Sequence, residues 1–222
     1  MLLIAPAFGA GSPFVPCPSY PAVGPNAARG ALVWLPGTYG KNEPGPAPPP
    51  DIVGRLAKPG LDVFQFLRPR ANDPLAGGAK TLAAGLRELR ARGYRRIVVA
   101  GHSRGGWIAL TATAHPNLAD AIVAISPAAH GTNPAHQIQA RAAWQALWQA
   151  ADAPETTVVL VQLRDDPYDP DPAWRLEIAR KGRVKLHSIF LPPQHKGHVG
   201  AYLPEFDERL GAEIAAFADP KQ

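Results

Sequence analysis

From residue 31 onward, short uninterrupted apolar runs alternate with longer segments in which apolar positions recur every three or four residues. The runs lie at 31–35 (ALVWL), 61–67 (LDVFQFL), 97–101 (IVVAG), 121–126 (AIVAIS), 158–163 (VVLVQL) and 184–191 (VKLHSIFL). Short continuous apolar runs closed by Gly and Pro read as strands buried on both faces. The intervening segments 52–58, 75–92, 104–115, 135–151, 172–181 and 204–218 read as helices. Asp51 is placed to start the first of these, and Pro59-Gly60 stops it. Leu75, Leu82, Leu86 and Leu89 share one face of the second, which ends at Gly93. Strands alternating with helices predict an α/β domain: a mostly parallel sheet of about six strands, flanked by helices. Only one helix fits between the runs at 121–126 and 158–163, which leaves no room for a large lid. The stretch 41–50 (KNEPGPAPPP) reads as a Pro-rich surface loop. Residues 1–30 read as an irregular lead-in, and 31–222 as a single domain without internal repeats.

Composition narrows the class. Apolar residues make up 46% and charged residues 18% of the 222, which is the range of a globular domain. The net charge is +5, yet the basic residues are scattered and not interleaved with aromatics, so a nucleic-acid partner is not expected. The single cysteine, Cys17, has no internal disulfide partner and reads as an unremarkable thiol. No apolar run is long enough to span a bilayer, so stable membrane insertion is not expected. Residues 1–10 are apolar and end in small residues, but lack a positive leading region. They read as a plain apolar start or as the remnant of a secretory signal, with export (secreted or periplasmic) favoured over a cytoplasmic location.

The chemistry centres on Gly101-His102-Ser103-Arg104-Gly105, which follows a strand run and opens a helix. A serine at such a sharp strand-to-helix turn sits in strained backbone, its small neighbours let the turn close, and the helix N-terminus favours an oxygen that becomes anionic. The bland alternative is a Gly-rich turn whose serine caps the helix. Serine is a weak nucleophile and needs a base. Two later segments offer partners. The run at 158–163 is followed by Arg164-Asp165-Asp166-Pro167-Tyr168-Asp169-Pro170, and the run at 184–191 by Pro192-Pro193-Gln194-His195-Lys196-Gly197-His198.

On these motifs the chain from about 31 to 218 resembles the α/β-hydrolase superfamily, in particular its small, lidless serine esterases and dienelactone-hydrolase-like proteins. Such relatives often carry D-x-x-V-P after the acid strand, matched by Asp166-Pro167-Tyr168-Asp169-Pro170 with Asp169 in the apolar place, and a Gly-His pair matched by Gly197-His198. The glycine often seen just before the acid is absent. A dienelactone hydrolase proper carries cysteine where Ser103 stands. The string GHSRGG also occurs in plant chlorophyllases, a likeness six residues long. The resemblance implies the order nucleophile, acid, histidine: Ser103, then Asp166 (with Asp165 and Asp169 as alternatives), then His198 (with His195 as rival). It also implies two backbone donors for an oxyanion hole. One is the N–H of Arg104. The other comes from the loop Pro36-Gly37-Thr38-Tyr39-Gly40, with Thr38 chosen and Tyr39 the alternative.

Neighbouring residues have structural readings. The Arg104 side chain reads as solvated or salt-bridged, Trp107 as helix-to-sheet packing, and His130 as a loop histidine that borders the site at most. Trp144 and Trp148 line a groove or pack on the sheet. No His/Asp/Glu cluster has ligand spacing, so neither a metal nor another cofactor is called for. The expected activity is hydrolysis of a small ester through an acyl-enzyme. The alternatives are a thioesterase or acyltransferase with the same triad, and a non-catalytic hydrolase fold used for binding.

Overall fold

A computed structural model describes residues 12–38, 48–58, 60–67 and 74–219. The apolar start at 1–10, most of the Pro-rich loop and Tyr39 lie outside the described residues. The sheet has seven strands in the order β1-β3-β2-β4-β5-β6-β7. These are β1 (Phe14–Pro16), β2 (Gly30–Leu35), β3 (Leu61–Phe66), β4 (Ile97–His102), β5 (Ala121–Ile125), β6 (Asp152–Gln162) and β7 (Arg183–Phe190). All neighbours pair in parallel except β1, which runs antiparallel to β3 with Phe14 opposite Phe66.

Two expectations change here. The segment read as an irregular lead-in contributes a strand, and its Phe14 is fully buried against Phe66 in an edge-on contact with ring centroids 5.9 Å apart. The strand expected at 158–163 begins at residue 152, with a register irregularity between Asp152 and Thr157. The lead-in is held further by Asp62 on β3, whose buried carboxylate accepts from Val23 N–H and Gly24 N–H at 2.8 Å each and from the Tyr94 hydroxyl at 2.6 Å. Burial first, and that hydrogen bond second, push the Tyr94 phenol well above its usual range.

The strand interiors are buried on both faces because helices cover both. Successive side chains of a strand point to opposite faces. Val33, Leu35, Val99 and Leu160 therefore pack with α2 (Leu75–Ala91), α3 (Arg104–Leu110), α4 (Gln137–Gln149) and α5 (Pro172–Ala179). Leu32, Trp34, Val98 and Val161 pack on the other face with α1 (Asp51–Ala57) and α6 (Pro204–Ala218). The α-helix expected at 104–115 ends at Leu110 and continues as a 3₁₀ turn over Thr111–Ala114. Thr111 and Thr113 hydroxyls bond back to the carbonyls of Ile108 and Leu110 there, the local competition that makes threonine a poor interior helix residue. Trp144 and Trp148 are 1% exposed, so they pack in the core and do not line an open groove. No described helix is long and apolar enough to cross a membrane.

The order of the strands has one consequence for the site. From β2 the sheet grows through β3 on one side and through β4 on the other. At such a reversal the loops leaving the carboxyl ends of two adjacent strands diverge and open a crevice. The loop beginning at Pro36 and the turn at Ser103 flank this crevice.

Candidate active site

Ser103 follows β4 directly and precedes α3, with φ 54° and ψ −124°. For a non-glycine residue this is sparsely populated backbone, costing about 1–3 kcal/mol, and it persists only where the surroundings enforce it. Here Ser103 N–H donates to Ile125 O at 3.0 Å, and Ser103 O accepts from Trp107 N–H and Ala128 N–H at 3.0 Å each. The flanking glycines are sterically required. A methyl group on Gly101 would lie 2.6 Å from the Gly105 backbone, and one on Gly105 would overlap the Leu35 carbonyl.

Ser103 Oγ lies 2.7 Å from His198 Nε2, and His198 Nδ1 lies 3.0 and 2.9 Å from the two carboxylate oxygens of Asp166. A carboxylate only accepts, so Nδ1 carries a proton, and in the neutral ring Nε2 is the acceptor that faces the serine hydroxyl. Asp166 is buried, sits in the loop after β6, and also accepts from Tyr168 N–H at 2.9 Å.

The other carboxylates of that loop point elsewhere. Asp165 is exposed, with φ 53°. Asp169 is buried between Gln162 Nε2 at 2.8 Å and Arg175 Nη1 at 3.3 Å. His195 is buried edge-on against Phe206, away from Ser103, and burial pushes its pKa down.

Two residues that sequence reasoning passed over brace this arrangement. His102 is 4% exposed, and its Nε2–H donates to the His198 carbonyl at 2.7 Å. Its ring lies 4.9 Å from that of His198 and edge-on to Tyr202 at 5.2 Å. Burial pushes His102 down to about 4. Arg175 is 7% exposed, donates from Nη2 to Pro127 O at 2.7 Å and stacks over Trp144 at 3.9 Å. It thereby ties the loop after β5 to the Asp166 loop through Asp169. Burial lowers its pKa, and the Asp169 charge opposes that. A sequence signal existed for neither, because both roles depend on partners that folding brings from distant segments.

The oxyanion candidates are partly described. Arg104 opens α3 immediately after Ser103, and its side chain reaches Ala129 O at 3.5 Å. The 36–38 segment passes close over the site: a methyl group on Gly37 would lie 3.3 Å from Ser103 Cβ and 3.4 Å from His102 Nδ1. Thr38 is the exposed residue next to it.

Next to Ser103, Asp166 and His198 lies a shallow cavity, open to solvent on one side. Trp107, His130, Tyr168 and Arg175 contribute to its lining. Tyr168 also lies against the His198 ring, with centroids 4.2 Å apart. Trp107, expected to pack helix on sheet, does so at 5% exposure and lines the cavity as well.

No family model and no curated protein matches the sequence. Solved structures do match in fold. A structure from the study of LipS and LipT, two metagenome-derived lipolytic enzymes, aligns with a TM-score of 0.61 at 16% identity, over 98% of this chain and 99% of that one. The esterase Pf2001 of Pyrococcus furiosus aligns at 0.60 and 15% identity, over 86% and 81%. A phospholipase/carboxylesterase of Dyadobacter fermentans aligns at 0.56 and 15% identity, over 94% and 98%. At these identities the likeness is one of fold, and the fold is that of the α/β-hydrolases.

Proposed function

We propose that this α/β-hydrolase-fold protein is a serine hydrolase that cleaves carboxylic esters through an acyl-enzyme. The observation that carries the reading is the continuous path from Ser103 Oγ through the His198 ring to the Asp166 carboxylate. A fold alone assigns no activity, so the weight rests on that path. The structural neighbours described as esterases and lipolytic enzymes agree with it.

In this mechanism Ser103 Oγ attacks the ester carbonyl carbon while His198 Nε2 takes its proton. The carbonyl π electrons move onto oxygen, and the resulting oxyanion takes hydrogen bonds from the Arg104 N–H and from a second backbone donor, Thr38 or Tyr39. Such donors act where charge develops, and removing one typically costs about 2.7–4 kcal/mol of transition-state stabilisation. His198, now doubly protonated beside the Asp166 carboxylate, gives its Nε2 proton to the leaving alkoxide oxygen as the C–O bond breaks. Water then repeats the cycle on the Ser103 ester, releasing the acid and restoring the hydroxyl. Asp166 keeps its charge throughout, holding the ring in the required tautomer.

Turnover of p-nitrophenyl acetate by wild type and by Ser103→Ala tests the reading. The variant is expected to fold normally and to lose at least about a thousandfold in kcat. Full turnover by the variant overturns the reading. Labelling of Ser103 by a fluorophosphonate is expected in parallel, and its failure favours a non-catalytic, binding use of the fold. Faster turnover of acyl-CoA than of oxygen esters favours a thioesterase or acyltransferase.

A further inference from the structure

The cavity beside the triad has a chemical character that narrows the substrate, on the footing that the protein hydrolyses esters. Its lining adjoins Ser103 and His198 without including them. Trp107 lies one helical turn beyond Ser103, Ala128 donates to Ser103 O, and the Tyr168 ring is shared between the cavity and His198. Three aromatic side chains from three different segments line it: Trp107 on α3, Tyr168 in the acid loop and Trp174 on α5. Ala128 and Ala140 are small residues in the same lining.

Two polar groups of the lining are closed off from solvent. Arg175 is a buried cation there, and its Nε has no hydrogen-bond partner among the described residues. His130 Nε2 is likewise out of contact with water and unpartnered. These atoms are closed off with or without a ligand, so the rings decide what the cavity takes. The face of an aromatic ring carries negative charge density and accepts contacts from N–H groups and cations, while its edge suits the faces of neighbouring rings. Among the described residues of the lining, the charged side chains are already offset. Arg175 is offset by Asp169 at 3.3 Å, and Arg141 by Asp171 at 2.9 Å. Arg141 also stacks over Trp174 at 3.9 Å, which fixes the orientation of that ring.

We infer that this cavity is a subsite for a neutral aryl group of the ester, carried on either the acyl or the alcohol side. Paired substrates that differ only in ring unsaturation test it. On the acyl side these are methyl 3-phenylpropanoate and methyl 3-cyclohexylpropanoate; on the alcohol side, benzyl acetate and cyclohexylmethyl acetate. In one pair the phenyl member is expected to show about tenfold higher kcat/KM, and that pair identifies the side. In Trp174→Leu the ratio is expected to collapse towards one. Should that variant fail to fold, Ala140→Phe, which fills the cavity from the half-exposed face of α4, is expected to give the same collapse. Ratios within twofold in both pairs, or a phenyl preference that survives in the folded variant, overturn the inference. Fluorophosphonate labelling of Ser103 in the same preparations separates the failures. A labelled protein without aryl preference sinks the subsite alone. A protein neither labelled nor active on any ester sinks the hydrolase reading and the subsite with it.

Discussion

His102 shows how a single side chain can couple stability to pH at this site. It is buried, donates to the His198 carbonyl, and titrates near 4 instead of near 6.5 because charging it there means losing water. Between pH 6.5 and 4 the unfolded chain therefore binds a proton at this residue that the folded one does not. Stability is fully present above about pH 6.5 and falls as pH drops towards 4, by up to about 3 kcal/mol. His130 and His195 are also lowered by burial and act in the same direction, but they are common to wild type and variant. The loss in urea-unfolding free energy from pH 7 to pH 4.5 is expected to be smaller in His102→Gln by about 1–3 kcal/mol. Parallel pH curves for the two proteins would remove His102 from this role. The sequence made Ser103, a later carboxylate and a later histidine legible through the elbow and the order of segments. The resemblance put Asp166 first and left Asp165 and Asp169 as alternatives. Their separation depends on backbone angles and on Arg175, which draws Asp169 away from His198.

Elements were legible in proportion to their length and to the regularity of their burial. Strands with both faces covered appear as apolar runs, so β2 through β5 were found to within a residue or so. β1 escaped because three residues that follow Pro13 and end in Pro16 carry no periodicity. Its burial comes from the notch at Gly85 on α2, where a methyl group would lie 2.6 Å from the Phe14 ring. The early part of β6 escaped for the opposite reason: Asp152, Glu155 and Thr156 are polar, and Glu155 instead pairs at the surface with Lys185 of β7 at 2.7 Å. Phe14 tests whether the short edge strand belongs to the cooperative unit. Truncating a fully buried phenylalanine usually costs about 3–5 kcal/mol. Phe14→Ala is expected to lose that much in urea denaturation, while keeping the Ser103–His198 geometry on which the proposed turnover of p-nitrophenyl acetate depends. A loss below about 0.5 kcal/mol, the scale of surface substitutions, would mean that residues 12–29 are not folded with the rest.

At the scale of the molecule, Ser103, Asp166 and His198 follow β4, β6 and β7, and the sheet, not local sequence, brings them together. The alternation of runs made a parallel sheet legible. The strand order and the crevice between β2 and β4 were not, because apolar runs carry no record of which neighbour each will pair with. The cavity was illegible for the same reason, since its walls come from α3, the loops after β5 and β6, α4 and α5. The His198 segment is fastened at several points: Leu191 N–H to Gln162 O at 2.9 Å, Gly197 N–H to Arg164 O at 2.7 Å, and His102 to His198 O. These ties across β6 and the elbow fasten His198 to the sheet that also carries Ser103 and Asp166. Under the proposed chemistry, ester hydrolysis and tryptophan fluorescence are therefore expected to fall in one coincident transition as urea is raised. Core tryptophans Trp34, Trp144 and Trp148 report the sheet and its helices. Activity that disappears at clearly lower urea would instead mean that residues 191–203 open as a separate unit of lower stability. The site would then be assembled on a segment that the fold holds only loosely.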